Sequence, residues 1–176
     1  EAADNDAMAT AVADYVYDYI TEQAANYVEK QTFVFGQPDS WGWSNSSYSQ
    51  AIKNKYGAYS AEYILFMNKV AKILDDKYTF GRRLQLTLLV YNATLEAPSY
   101  SDDLKFYNGD EIYMGIIYAP IESNLYLSLD STVSGFSEHN EVGDSYASVY
   151  GRTNQYYYNQ LLEWKKFLNG GELSVF

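Results

Sequence analysis

The chain has 176 residues, of which 47% are hydrophobic, so it is long and apolar enough to fold as one globular domain. Its net charge of −11 argues against binding to nucleic acid and to anionic membrane surfaces, because both need clustered Lys and Arg. Cysteine is absent, which excludes disulfides, thiolate metal sites and a cysteine nucleophile, and no apolar run reaches the roughly 18 residues of a membrane span.

The first half of the chain predicts two long helices with a strand between them. Apolar residues at helical spacing extend from residue 5 to residue 30, behind polar residues that suit a helix start. The apolar run 32–36 predicts a strand buried on both faces, which favours a parallel sheet. After a polar loop with a helical turn near 48–55, Ser60 is predicted to cap a helix over 61–78.

The second half predicts three further strands and one long helix. Strands are expected at 84–91, at 112–119 and from 173 onward, with a short helix near 102–106, an irregular stretch at 125–154 and a helix over 155–168. This alternation predicts an α/β fold of parallel β/α units with right-handed crossovers.

The two ends of the chain suggest how these units are organised. The sequence has no internal repeat and no linker, so we expect residues 1–176 to form a single α/β domain. Because it starts with a helix and stops in an apolar strand, we expect this domain to be a segment of a larger TIM-type (β/α)8 barrel, with about half of the eight units present. A small, free-standing doubly wound domain is the alternative.

The stretch 32–43 places an acid and two tryptophans directly after the first predicted strand. In parallel β/α folds the first residues beyond a strand face the ligand crevice, so this arrangement suits the floor of a sugar site. An ordinary turn is the simpler interpretation, because Gly, Pro, Asp and Ser are the usual turn residues. The 20 tyrosines also suit an aromatic-lined carbohydrate surface, although we expect most of them at the edges of the core.

Three blocks of the sequence carry a resemblance to a known family. Phe-Gly-Gln-Pro-Asp at 35–39 is similar to a family strand that ends in Gly-x-Asn-Asp. Residues 59–71 are similar to its Ser-x-x-Tyr-x-x-Phe-x-Asn-x-Ala helix, and residues 89–98, with the strand at 116–121, to its Ala-Tyr-x-x-Thr-x-x-Pro segment and next strand. In this order the chain resembles, over about four-fifths of its length, the glycoside-hydrolase-like bacterial proteins that carry domain of unknown function 4838.

The resemblance implies a barrel related to glucuronidase and hexosaminidase barrels, acting on or near polysaccharide. With it we expect an extracellular or cell-surface location on a bacterium. The family loop often carries Cys-x-Cys-x-x-Cys after the Asp, whereas residues 44–49 here read Ser-Asn-Ser-Ser-Tyr-Ser. Serine hydroxyls neither hold zinc nor form disulfides, so we expect no metal and no cofactor.

Three carboxylates are candidates for glycoside hydrolysis, which needs two carboxyl groups across the scissile bond. Asp39, Glu96 and Glu122 each lie just beyond a predicted strand, where barrel enzymes place their catalytic groups. With 23 acidic residues in the chain, the alternative for each is a solvated loop carboxylate.

The candidate substrate-binding residues combine loop tryptophans with polar side chains at strand ends: Gln37, Trp41, Trp43, Tyr91, Asn92 and Tyr118. The indole rings suit the C–H face of a pyranose, or else they pack the long loop onto the barrel. The amide side chains suit sugar hydroxyls, and each tyrosine either binds a hydroxyl or closes the core.

These observations predict a glycoside-hydrolase-like domain that binds poly- or oligosaccharide at the C-terminal ends of its strands. A non-catalytic carbohydrate-binding or scaffold domain is one alternative, and a small α/β interaction domain is another. Expected partners are carbohydrate and either the rest of a larger polypeptide or a second copy that pairs through exposed sheet edges. We expect no hydrolysis by this segment alone, since half a barrel lacks the other loops.

Overall fold

The structure, a computed structural model, describes residues 5–26, 32–37, 42–120, 123, 128, 132 and 152–176. In chain order its elements are α1 (Asp6–Asn26), β1 (Thr32–Gly36), α2 (Ser47–Tyr56), α3 (Ser60–Lys77), β2 (Leu84–Val90), β3 (Ile112–Tyr118), α4 (Asn154–Lys165) and β4 (Leu173–Val175). Two short 3-10 turns, Asn92–Thr94 and Asp102–Leu104, lie between β2 and β3. Of the helices in these ranges, none is long and apolar enough to cross a membrane.

The four strands form one sheet in the order β1-β2-β3-β4, and every neighbouring pair is parallel. The predicted α/β fold of parallel units is therefore confirmed. Strand order follows chain order without a reversal, whereas a doubly wound sheet reverses its order where ligands bind. The described strands thus do not form the doubly wound sheet that was the alternative.

One face of the sheet carries the core. Phe33, Leu86 and Met114 lie side by side in the strand register, and all three are buried. They pack with the buried faces of α1, α3 and α4, and the Phe33 ring contacts Tyr19 of α1 edge to face at 6.0 Å. Full burial of one such side chain stabilises the fold by about 1.5–3 kcal/mol, so this layer dominates the apolar stabilisation.

The opposite face of the sheet is more polar and less covered. Gln85 and Thr87 of β2 are buried there, and the Gln85 amide donates to Thr87 Oγ1 at 2.9 Å. Gln85 Oε1 accepts the backbone N–H of Glu172, just before β4, at 3.0 Å. To reach Glu172 the side chain crosses Gly115, where an added Cβ would lie 2.5 Å from the Gln85 amide. Val34 of β1 is 49% exposed on this face.

The prediction that β1 is buried on both faces is wrong. Phe33 is buried and Phe35 is half-buried, while Thr32, Val34 and Gly36 are exposed. Within the described ranges β1 pairs only with β2 and has helices on one face alone. An apolar run therefore indicated the strand but not its position at the edge of the sheet.

Helix starts also differ from expectation. Ser60 does not cap α3, because Tyr59 holds the cap position and Ser60 lies inside the helix, where its hydroxyl donates to the backbone oxygen of Glu96. Helix α2 instead has a serine cap, in which Ser46 Oγ accepts the N–H of Ser49 at 3.1 Å. Gly57 ends α2 with a φ of 86°, a left-handed conformation that glycine adopts readily.

Carboxylates anchor the N-terminal end of the sheet. Asp75, near the end of α3, accepts the backbone N–H groups of Asp110, Glu111 and Ile112 and the Tyr107 hydroxyl at 2.8–2.9 Å. Burial acts to raise the pKa of Asp75, but these hydrogen bonds outweigh it and hold the pKa below the usual range. Glu111 in turn accepts the N–H groups of Phe80 and Gly81 ahead of β2.

Candidate functional site

The C-terminal ends of β1 and β2 are joined by a reciprocal pair of hydrogen bonds. Gln37 follows β1 and Tyr91 follows β2, each one residue beyond the end of its strand. The Gln37 amide donates to the Tyr91 backbone oxygen at 3.1 Å, and the Tyr91 hydroxyl donates to the Gln37 backbone oxygen at 3.1 Å. Two predicted binding residues therefore lie together and extend the pairing of the strands past the regular ladder.

Asn92 lies beside this pair in an unusual backbone conformation. Its φ of 49° is left-handed, and Asn adopts that conformation more readily than other residues with a side chain. The residue is buried and starts the first 3-10 turn, whose end is tied back by a hydrogen bond from the Leu95 N–H to the Asn92 backbone oxygen at 3.2 Å. This turn directs the chain away from β2 immediately beyond Tyr91.

Trp43 packs against the first turn of α3. Its indole Nε1–H donates to Glu62 Oε2 at 2.8 Å, and Glu62 is only 6% exposed. The Trp43 ring stacks on Tyr59 with 6.2 Å between ring centres and an angle of 28° between the planes, and it meets Tyr63 at 6.5 Å. A carboxylate in the first turn of a helix is favoured by the helix dipole, which suits Glu62 to this buried position.

Tyr63 connects these two groups of residues. Its hydroxyl donates to the backbone oxygen of Phe35 in β1 at 2.6 Å. Burial, and then the neighbouring Tyr91, raise the pKa of Tyr63 above the ordinary value, so the phenol stays a neutral hydrogen-bond donor. We call Gln37, Trp43, Glu62, Tyr63 and Tyr91 the strand-end cluster.

Glu96, a predicted catalytic carboxylate, lies in an ion pair. Arg152 Nη2 donates to Glu96 Oε1 at 2.7 Å, and the Tyr156 hydroxyl donates to the same oxygen at 2.9 Å. Burial, and then this bond to Glu96, raise the pKa of Tyr156. Arg152 also lies 4.5 Å from the centre of the Tyr156 ring. This arrangement joins the loop after β2 to the start of α4.

Tyr118 is placed in the core. It lies on the helix-facing side of β3, is 1% exposed, and donates its hydroxyl to the backbone oxygen of Tyr157 in α4 at 2.9 Å. Its position corresponds to the interpretation in which the tyrosine closes the core.

Three predicted site residues, Asp39, Trp41 and Glu122, lie outside the described residues. Glu96 is therefore the one candidate catalytic carboxylate in the described part of the chain. In that same part, no group of three or more His, Asp or Glu side chains is placed to hold a metal ion.

Sequence reasoning missed Glu62 and Tyr63, which were treated as ordinary parts of a helix, and Tyr59, which was placed in the preceding loop. Glu62 is buried and the two tyrosines are half-buried, and Trp43 reaches them from a loop 19 residues before Glu62. The available signal was the pair of tyrosines four residues apart at a helix start, because residues at that spacing share one helix face.

No protein-family model, curated protein or solved structure matches the chain. The resemblance of its sequence blocks to a family therefore stays a prediction, and a functional assignment depends on the geometry of the strand ends.

Proposed function

We propose that this chain is a glycoside-hydrolase-like α/β domain that binds poly- or oligosaccharide at the C-terminal ends of β1 and β2. The strand-end cluster is the observation that carries this proposal. The Trp43 indole meets the Tyr63 phenol there, and the Tyr91 phenol and the Gln37 amide exchange hydrogen bonds. Flat rings that match the C–H face of a sugar, beside groups that exchange hydrogen bonds with its hydroxyls, are the chemistry of saccharide recognition.

We propose further that the sheet is a segment of a (β/α)8 barrel of the kind found in bacterial proteins with domain of unknown function 4838. Parallel strands in chain order support this, since successive barrel strands are neighbours. The polar, partly uncovered face with Gln85, Thr87 and Val34 would face the barrel interior. An extracellular or cell-surface location on a bacterium belongs to the same proposal.

We propose Asp39, Glu96 and Glu122 as the catalytic carboxylates, acting within a larger barrel. The alternative is a non-catalytic carbohydrate-binding or scaffold domain. The ion pair of Glu96 favours that alternative, because a carboxylate oxygen that already accepts from Arg152 and Tyr156 is poorly placed to hand a proton to a leaving group. Incubation of the 176-residue chain with a panel of glycosides is expected to release no sugar.

Binding is tested by titrating the ¹⁵N-labelled chain with neutral cello-, xylo- and chito-oligosaccharides. We expect chemical-shift changes at the backbone amides of Gln37, Tyr91 and Asn92. Tyr91→Phe removes one hydroxyl hydrogen bond and is expected to weaken binding about two- to tenfold. Tyr113→Phe is the matched control, because Tyr113 lies near the start of β3, at the opposite end of the sheet.

Two results would refute the proposal. One is the absence of any shift change with every oligosaccharide at millimolar concentration. The other is binding that Tyr113→Phe weakens as much as Tyr91→Phe does, which would place the ligand away from the strand-end cluster.

A further inference from the structure

Among the acidic residues that the structure describes, Glu62 is the one that is almost fully buried, and it accepts a hydrogen bond from the Trp43 side chain. Its Oε2 accepts the indole N–H of Trp43 at 2.8 Å, and the residue is 6% exposed. The ion-paired acids Asp76, Asp103 and Glu163 are by contrast 45–58% exposed in their side chains. Burying a carboxylate costs free energy unless it is hydrogen-bonded, and the Trp43 indole supplies one such bond to Glu62.

The geometry that Glu62 determines is the plane of the Trp43 ring. Two rings constrain that plane only loosely, since Tyr59 stacks at 6.2 Å and Tyr63 meets the indole at a tilt of 60°. A hydrogen bond is directional, so the bond to Glu62 restricts the rotation of the indole. Glu62 is itself fixed in the first turn of α3.

We infer that Glu62 is a positioning residue for saccharide binding, which holds Trp43 as a preoriented stacking surface for the C–H face of a pyranose. This inference rests on the proposed function. The residue does not touch the sugar; it acts by removing the freedom of the ring before the ligand arrives. Preorganisation of this kind raises affinity because less motion is lost on binding.

The test uses two substitutions that differ in one property. Glu62→Gln keeps an oxygen acceptor on a side chain of nearly the same shape, whereas Glu62→Leu keeps the volume and removes the acceptor. Oligosaccharide affinity is expected to fall about tenfold in Glu62→Leu and to stay within about threefold in Glu62→Gln. Glu163→Leu is the control, because Glu163 pairs with Lys166 on the surface of α4.

A measurement without ligand separates positioning from general loss of structure. The indole N–H signal of Trp43, assigned with Trp43→Phe, is expected to lose protection from exchange in Glu62→Leu. The signal of Trp164, whose indole donates to the buried backbone oxygen of Leu95, is expected to stay unchanged in all variants.

The outcomes distinguish this inference from the function on which it rests. If the wild-type chain binds oligosaccharide and Glu62→Leu binds equally well, the inference is overturned and the proposed function stands. If the wild-type chain binds none of the panel, both are overturned. Loss of the Trp164 signal together with that of Trp43 would assign Glu62 a role in folding and would also overturn the inference.

Discussion

The two ends of the parallel sheet are built with opposite hydrogen-bonding chemistry. At the N-terminal end the carboxylates of Asp75 and Glu111 accept backbone N–H groups. At the C-terminal end the hydroxyls of Tyr63 and Tyr91 and the amide of Gln37 donate to backbone carbonyl oxygens. Parallel strands leave N–H groups free at one end and C=O groups free at the other, and both must be satisfied when they are buried.

This difference bears on the proposal that saccharide binds at the C-terminal end of the sheet. Asp75 accepts four donors and Glu111 accepts two, so the N-terminal end contributes stability. Donors at the C-terminal end are phenols and an amide, which carry both apolar surface and hydrogen-bonding groups. The strand-end cluster is therefore suited to a ligand with both kinds of surface.

Asp75→Ala is expected to have the largest effect and tests the anchoring role of Asp75 at the N-terminal end of the sheet. This change leaves three backbone N–H groups and the Tyr107 hydroxyl without their acceptor, so we expect unfolding free energy to fall by about 3 kcal/mol or more. Urea denaturation measures it. Asp76→Ala is the neighbouring control and should cost less than about 0.5 kcal/mol, because Asp76 only pairs with Lys72 on the helix surface. Equal losses in the two variants would contradict the anchoring role.

Lowering the pH should remove the stabilisation that the carboxylates contribute and leave that of the phenols unchanged. The pKa of Asp75 is lower in the folded chain than the value of about 3.9 for an unfolded Asp, so its contribution is full above that pH and is lost as the pH falls through the folded value. Hydrogen bonds from Ser101 and Tyr56 lower the pKa of Asp103 to about 2 and add to the same loss.

We therefore expect stability to fall steeply below about pH 4 and to fall less in Asp75→Asn than in the wild type. Urea unfolding at pH 7, 4 and 3 provides the measurement. A wild-type stability that does not change between pH 7 and 3 would contradict the prediction.

Tyr63→Phe should have the smallest effect and tests a hydrogen bond at the C-terminal end of the sheet. The change removes the hydrogen bond to Phe35 of β1 and keeps the ring, so we expect a loss of about 1 kcal/mol in unfolding free energy. Tyr158→Phe is the control, because Tyr158 is 37% exposed on α4. A loss for Tyr63→Phe no larger than that of the control would show that the β1 contact contributes nothing measurable.

Much of the fold followed from the sequence because its apolar patterns are local. The predicted strands 84–91 and 112–119 match β2 and β3 to within one residue, since the pattern and the flanking turns both mark their ends. Strand β1 was correct in extent and wrong in burial, because the position of a strand in the sheet depends on partners far along the chain. The barrel remains a prediction.

The site was harder to predict, for a physical reason that Glu62 and Tyr118 illustrate. Glu62 accepts a hydrogen bond from a tryptophan in a separate loop, and the spacing of residues within the helix identifies the shared face but not this partner. Tyr118 was left open between the site and the core. Its even spacing from Met114 and Ile116 already placed it on their face, because side chains alternate along a strand.

Gln85 also bears on the order in which the chain assembles. Its side chain on β2 crosses Gly115 of β3 and holds the backbone N–H of Glu172, a contact between residues 87 positions apart. Closing so long a loop costs more entropy than joining β1 to β2 or β2 to β3, and contacts of this range slow folding. We therefore expect β4 to join last, onto a three-stranded sheet whose Gln85 side chain is already in place to receive it.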